Sequence, residues 1–172
     1  STLVNKGLEM MEAKWLFDVD LEQIQVVVHP QSILHSAVEY VDGGIMGQMG
    51  VPDMKLPIQY ALFYPDRRPM DTGRVDLCKL GQLTFEEPDT ETFQGLALAY
   101  QAAARGGSLP TVFNAANERA VALFLQKKIR FLQIPELIGA AMEAHRVVND
   151  PSVEQILSAE AETYEFIKHK YE

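Results

Sequence analysis

Cysteine is almost missing. Cys78 is the single one in 172 residues, so an intrachain disulfide and a Cys-x-x-Cys metal site are both excluded, each needing a second thiol. Long apolar runs are missing too: no stretch approaches the ~20 residues that a membrane-spanning helix requires, and the N-terminus carries no charged-then-apolar signal pattern. There is no Asn-x-Ser/Thr acceptor, internal repeat or low-complexity tract. Positive charge is in short supply. With 15 Lys and Arg against 24 Asp and Glu, the formal charge is −9, which argues against a chain that tracks nucleic-acid backbone as a whole. The basic cluster Lys127, Lys128 and Arg130 reads as a solvated helix end. Together these absences predict an intracellular, reducing environment, with neither nucleic acid nor membrane as partner. Apolar residues are not scarce. They form 47% of the chain, enough to pack one domain or two small ones.

The chain opens STLVNKGLEMMEAKWLF. At the helical period Val4, Leu8, Met11 and Trp15 fall on one stripe and Leu3, Met10 and Phe17 on another beside it, which predicts a helix wet on very little of its surface. Asn5, Lys6 and Glu9 share an arc of roughly 100° with Ala13. One reading is a solvated strip with an ordinary Lys6–Glu9 pair. Electrostatics weighs against it, because a first-turn lysine opposes the helix dipole and the favoured order puts Glu before Lys. The other reading is a bound anion: helix-start N–H groups, a lysine ammonium and an asparagine amide cradle phosphate, with Glu9 one turn deeper as a hard oxygen ligand.

After the acidic break FDVDLE, the β-branched run IQVVV predicts a buried strand ending at His29 and Pro30. Residues 32–41 and the stretch after Asp42-Gly43-Gly44 predict a two-stranded hairpin. In its first strand Ile33, His35, Ala37 and Glu39 share one face, which places His35 on the wetter side. Pro52 and Pro57 bracket a tight loop, and LPIQYALFY predicts a short helix. The segment 64–91 is rich in proline, glycine and charge; it predicts a surface path with a brief strand at GQLTF. From Thr92 the composition shifts to alanine, leucine and glutamate. Four helices are expected there, over 92–105, 110–128, 135–147 and 151–170, with Pro110, Pro135 and Pro151 in first turns and Asp150 as the last cap. The fold class is therefore α+β: a short mixed or antiparallel sheet with helices, then a four-helix bundle-like domain.

Other candidate chemistry is weaker. GGIMGQMG lacks the G-x-G-x-x-G order and follows a hairpin turn, so its glycines read as strand positions admitting a close neighbour. His29 and His35 lack a third ligand at useful spacing, and spacing alone makes each structural. Gln31 and Ser32 add small polar groups that face a ligand or nothing. NAANE aligns Asn114, Asn117 and Glu118 on one helical face, which favours hydrogen bonds between helices. His145 and His169 read as solvated.

VNKGLE with EAKWLF, then HPQSILHS, PDMKLPIQYALFYP, LCKLGQLTF, and NAANE followed by IRF stand in this order along the chain. In order and separation they resemble the 1-deoxy-D-xylulose 5-phosphate reductoisomerase family. The likeness runs from the first residue to the last helix. It implies the C-terminal part of a longer enzyme: residues 1–63 ending the catalytic domain, 64–91 connecting, and 92–172 a helical domain, with an NADPH-binding Rossmann domain lying elsewhere. It implies that the whole enzyme rearranges a ketose phosphate and reduces it with NADPH to 2-C-methyl-D-erythritol 4-phosphate for isoprenoid synthesis. Asn5 and Lys6 match the family's substrate-binding pair, Glu9 the third carboxylate on Mg²⁺ or Mn²⁺ (Co²⁺ as a further candidate), and His35 the active-site histidine, against its structural reading by spacing. Met54 matches the methionine near the nicotinamide, with Pro52 and Ser32 as neighbours, Ser32 also towards substrate. The resemblance further implies a homodimer in bacterial cytoplasm or plastid stroma, and no turnover from this chain alone. Two other classes stand beside it: a non-catalytic helical interaction module, and a metal and phosphosugar binding unit without redox chemistry.

Overall fold

A computed structural model describes residues 2–171. Its elements are α1 (Val4–Phe17), a short 3-10 turn (Leu21–Gln23), β1 (Leu34–Glu39), β2 (Ile45–Met49), α2 (Lys55–Phe63), α3 (Leu77–Leu80), α4 (Gly95–Arg105), α5 (Leu109–Leu125), α6 (Gln133–Ala144) and α7 (Val153–Tyr171). The fold is α+β, and the described strands form one two-stranded antiparallel sheet. No helix among the described residues is long and apolar enough to cross a membrane. The residues pack as two compact units, Ser1–Val26 with Asp89–Glu172, and Val27–Pro88. In the first unit α1 packs with the late helices, its Val4, Met10 and Met11 entering their core.

The helical unit builds its core from the apolar periods of α4 to α7. Val112, Phe113, Ile138 and Ile167 are fully buried, while Ala99, Ala102, Ala116 and Ala120 keep the helix surfaces thin enough to approach closely. Burying a side chain of Phe113's size contributes about 2–3 kcal/mol. α1 adds Val4, Met10 and Met11 to this core. It lies so near α4 that a Cβ on Gly7 would sit 2.3 Å from Ala99 Cβ, and one on Gly95 would sit 2.4 Å from Thr2 O. The glycine of VNKGLE is thus a packing requirement on the face turned away from Asn5 and Glu9. The last turn departs from expectation. Trp15, Leu16 and Phe17 are 73–80% exposed, because α4 covers only the first turns of α1.

Caps and side-chain bonds set the rest. α7 starts on a reciprocal pair, Ser152 N donating to Gln155 Oε1 at 2.9 Å and Gln155 N to Ser152 Oγ at 3.4 Å; Ser152 and not Asp150 is the cap, since its hydroxyl stands one turn before Gln155. His145 is half-buried, not solvated: its Nε2 lies 2.7 Å from the buried Ser108 Oγ, which also accepts from Val148 N at 3.0 Å. NAANE does join helices. The single Tyr164 hydroxyl of α7 lies 2.7 Å from Glu118 Oε2 and 3.0 Å from Glu160 Oε1, its one proton shared between these two acceptors, while within α5 Asn114 Nδ2 donates to Glu118 at 3.2 Å. The Glu118 carboxylate, followed by burial and Glu160, holds the Tyr164 hydroxyl well above the usual phenol range.

The second unit is a hairpin with its flanking loops. β1 pairs with β2 in the register Ser36↔Gln48, Ala37↔Gly47, Val38↔Met46 and Glu39↔Ile45, and Tyr40 N–H donates to Gly44 O across the Asp42-Gly43-Gly44 turn. Gly47 and Gly50 do admit close neighbours: an added Cβ would meet Leu34 Cδ1 at 2.5 Å and Leu56 Cδ2 at 2.8 Å. The strand expected over IQVVV does not form. Val28 makes one isolated bridge to Glu86, for a β-branched run becomes a strand only beside a partner, and here the partner is a single residue long. GQLTF fails as a strand for the same reason. Upstream of it, LCKL forms α3 instead, started by Asp76 accepting from Cys78 N and Lys79 N.

Candidate functional site

The helical period of α1 brings Asn5, Lys6 and Glu9 to one side, and their side chains meet. Asn5 Nδ2 donates to Glu9 Oε1 at 2.7 Å, and Lys6 Nζ forms an ion pair with Glu9 Oε2. Lys6 and Glu9 keep 43% and 46% of their side-chain surface, so the cluster is open to an incoming ligand. Its opposite face is locked onto α4 through Gly7 and Val4, which fixes the helix that carries it. Both carboxylate oxygens are engaged within the helix. The arrangement is a poised charge pair: a phosphate can take the ammonium from Glu9, and a cation can take the carboxylate from Lys6.

Ser32, His35, Pro52 and Met54 belong to the hairpin unit. His35 sits at a break in the ladder, where Leu34↔Met49 is followed by Ser36↔Gln48. Two residues on β1 therefore oppose one on β2, and His35 is the extra one. The bulge replaces the alternation predicted for this strand: residues 35–39 are all exposed, and His35 leaves the ladder to face solvent. Ser32 has φ 51°, a left-handed conformation that costs a non-glycine residue about 1–2 kcal/mol. Val51 to Met54 form a tight loop, with Asp53 N–H donating to Val51 O at 2.7 Å and Lys55 N–H to Asp53 Oδ1 at 2.9 Å. This turn starts α2 and leaves Pro52 exposed and Met54 70% exposed. An open recess of about 400 Å³ borders the same segment, lined by Met49, Gly50, Val51, Leu56, Arg68 and Met70 among others. None of the seven candidates lines it.

Gln31 turns its side chain to the chain itself. Its amide grips Thr84, as does the ring of His29, across a sequence separation that no local pattern reveals. Among the described residues no group of three or more His, Cys, Asp and Glu side chains stands close enough to hold a metal ion. The donor set here is one carboxylate, Glu9, which suits one ligand of a hard cation and not a whole site.

A family model described as DXP reductoisomerase C-terminal domain matches residues 49–166. The chain belongs to that family. The 1-deoxy-D-xylulose 5-phosphate reductoisomerase of Agathobacter rectalis is 61% identical over 171 residues, covering 99% of this chain and 45% of that protein. The same enzyme of Caldanaerobacter subterraneus subsp. tengcongensis is 55% identical over 172 residues, again 99% of this chain and 45% of the relative. A solved reductoisomerase from Zymomonas mobilis in complex with NADPH superposes with a TM-score of 0.93 at 42% identity, covering all of this chain and 46% of its own. A DOX-P reductoisomerase in complex with NADPH, fosmidomycin and magnesium gives 0.93 at 40% identity, covering 99% of this chain and 44% of its own. The chain thus spans less than half the length of the relatives it matches, and the match takes in α1 as well as the family domain.

Proposed function

We propose that this chain is the C-terminal part of an NADPH- and divalent-metal-dependent reductoisomerase that converts 1-deoxy-D-xylulose 5-phosphate to 2-C-methyl-D-erythritol 4-phosphate in non-mevalonate isoprenoid synthesis. In this reading residues 1–63 end the catalytic domain, 64–91 connect, and 92–172 form the C-terminal domain. Family membership supports it, as do the complexes reported for the relatives. The observation that carries it is the meeting of Asn5, Lys6 and Glu9 on one exposed, rigidly backed helix face.

Lys6 and Asn5 hold the substrate phosphate and backbone hydroxyls, spending remote binding energy on orienting the reacting carbons. Glu9 supplies one carboxylate to Mg²⁺ or Mn²⁺, the others coming from outside this chain. When bound, the cation supplies stabilisation of the negative charge that develops as the carbon skeleton rearranges, and NADPH supplies the reducing equivalent. With a cation on Glu9 and a phosphate on Lys6, the contact between the two side chains would be exchanged for those ligands. Ser32 donates a hydroxyl to substrate. His35, carried out of the ladder by the bulge, offers an imidazole for hydrogen bonding or proton transfer at the substrate. Met54 and Pro52 present an apolar surface to the nicotinamide and exclude water from it. The protein works as a cytoplasmic or stromal homodimer whose contact includes the β1–β2 ribbon, where Val38, Ile45 and Met46 are 58–67% exposed.

Glu9→Gln in the full-length enzyme tests the reading. Activity is expected to fall about 10²–10³-fold, with weaker metal affinity and an unchanged unfolding midpoint. Wild-type metal dependence in that variant refutes the assignment. This chain alone, mixed with substrate, NADPH and Mn²⁺, is expected to give no NADPH oxidation.

A further inference from the structure

We propose that His29 and Gln31 are positioning residues for Ser32: from one turn they seize Thr84 and so hold Ser32 in its left-handed, solvent-facing conformation. The proposal rests on the reading of Ser32 as a substrate-binding residue. A serine released from its surroundings relaxes to negative φ, because its Cβ crowds the backbone at φ 51°. Something must hold it there.

The turn His29–Ser32 is closed by Ser32 N–H donating to His29 O at 3.0 Å, with Pro30 fixing φ at its second position. Gln31 then folds onto Thr84: its Nε2 donates to Thr84 Oγ1 at 2.8 Å, and its Oε1 accepts from Thr84 N–H at 3.1 Å. His29 completes the grip. Its Nδ1 lies 2.8 Å from Thr84 O, and since a carbonyl only accepts, Nδ1 carries the proton. The same ring stacks on Phe85, centroids 4.7 Å apart, and Val28 and Glu86 exchange both backbone bonds at 2.9 Å. Both backbone polar groups of Thr84 are therefore satisfied by side chains of the turn.

On the other side of Ser32 the chain is fixed again. Ile33 is buried, and its carbonyl accepts from Gly50 N–H at 2.9 Å, just before β1 begins. Ser32 is the one residue between the clamp that ends at Gln31 and the hairpin that begins at Ile33. Its φ is set by where those two anchors stand, and Gln31 sets the nearer one.

The test uses the full-length enzyme. Gln31→Met keeps side-chain length and removes both amide contacts; Thr84→Val removes the hydroxyl contact alone, and Thr84→Ser keeps it. Gln31→Met is expected to raise KM for the sugar phosphate about tenfold, at a temperature where its circular dichroism matches the parent and KM for NADPH is unchanged. Thr84→Val should move KM the same way, and Thr84→Ser should restore it. Combined with Ser32→Ala, Gln31→Met should add nothing further, because it acts through the residue already removed. Parent-like KM in Gln31→Met, or full additivity with Ser32→Ala, overturns the proposal while leaving the reading of Ser32 intact. If Ser32→Ala itself leaves KM unchanged, the reading of Ser32 falls, and the proposal with it. Should Gln31→Met fail to fold, the Thr84→Val and Thr84→Ser pair decides: equal KM values for the two overturn the proposal.

Discussion

The two compact units dispose of their apolar residues in opposite ways. The helical unit hides Val112, Phe113, Ile138 and Ile167 completely, whereas the hairpin unit buries Ile33 among its large apolar side chains and leaves Ile45, Met46, Met54 and Leu62 66–77% exposed. The first is held by a core. The second is held by ladder bonds, tight turns and the Gln31–Thr84 clamp, and its apolar surface is available for contact with something outside it. The candidate residues follow the same division. Asn5, Lys6 and Glu9 stand on a helix packed by a glycine against its neighbour, while Ser32, His35, Pro52 and Met54 stand at a strained turn, a bulge and a loop.

The comparison breaks most sharply at the core. Phe113→Ala is expected to cost about 3–5 kcal/mol of unfolding free energy by denaturant titration, since it opens a cavity under α5. A loss below 1 kcal/mol by the same titration would mean the helical unit does not depend on that core. Gly7→Ala comes next, at about 1–3 kcal/mol, because the added Cβ meets Ala99 and α1 must shift; it should also weaken substrate binding by moving Asn5, Lys6 and Glu9 together. Ile45→Ser tests the opposite claim. In this chain alone it should change stability by no more than about 0.5 kcal/mol, while sedimentation of the full-length enzyme should show weaker self-association if the proposed dimer uses this ribbon. Lys6→Ala has the smallest expected effect on stability, within about 0.5 kcal/mol of the parent and of either sign, as an exposed ion pair is traded against an unfavourable dipole contact. A clear destabilisation in thermal melts would make Lys6 a structural residue and remove it from the site.

Legibility in the sequence followed the range of the interaction. The helices α2 and α4 to α7, the hairpin and its turn were readable because each is written in a local period or a turn dipeptide. The meeting of Asn5, Lys6 and Glu9 was readable for the same reason, being a consequence of one helix. IQVVV was misread because strand propensity says nothing about the partner, which ends after Glu86. His35 on a bulge was not readable, since register belongs to two strands at once.

What the sequence determined by itself, then, is the helices with a clear apolar period, the hairpin and its turn, and the local grouping of Asn5, Lys6 and Glu9, because periodicity and turn chemistry act between residues a few positions apart. Tertiary structure alone decided that α1 packs with α4 through Gly7, that Trp15 to Phe17 lie open, and that Gln31 closes on Thr84 and leaves Ser32 strained between two anchors. Those outcomes depend on which surfaces meet across long stretches of chain, and the free energy of that meeting is carried by residues far apart in the sequence.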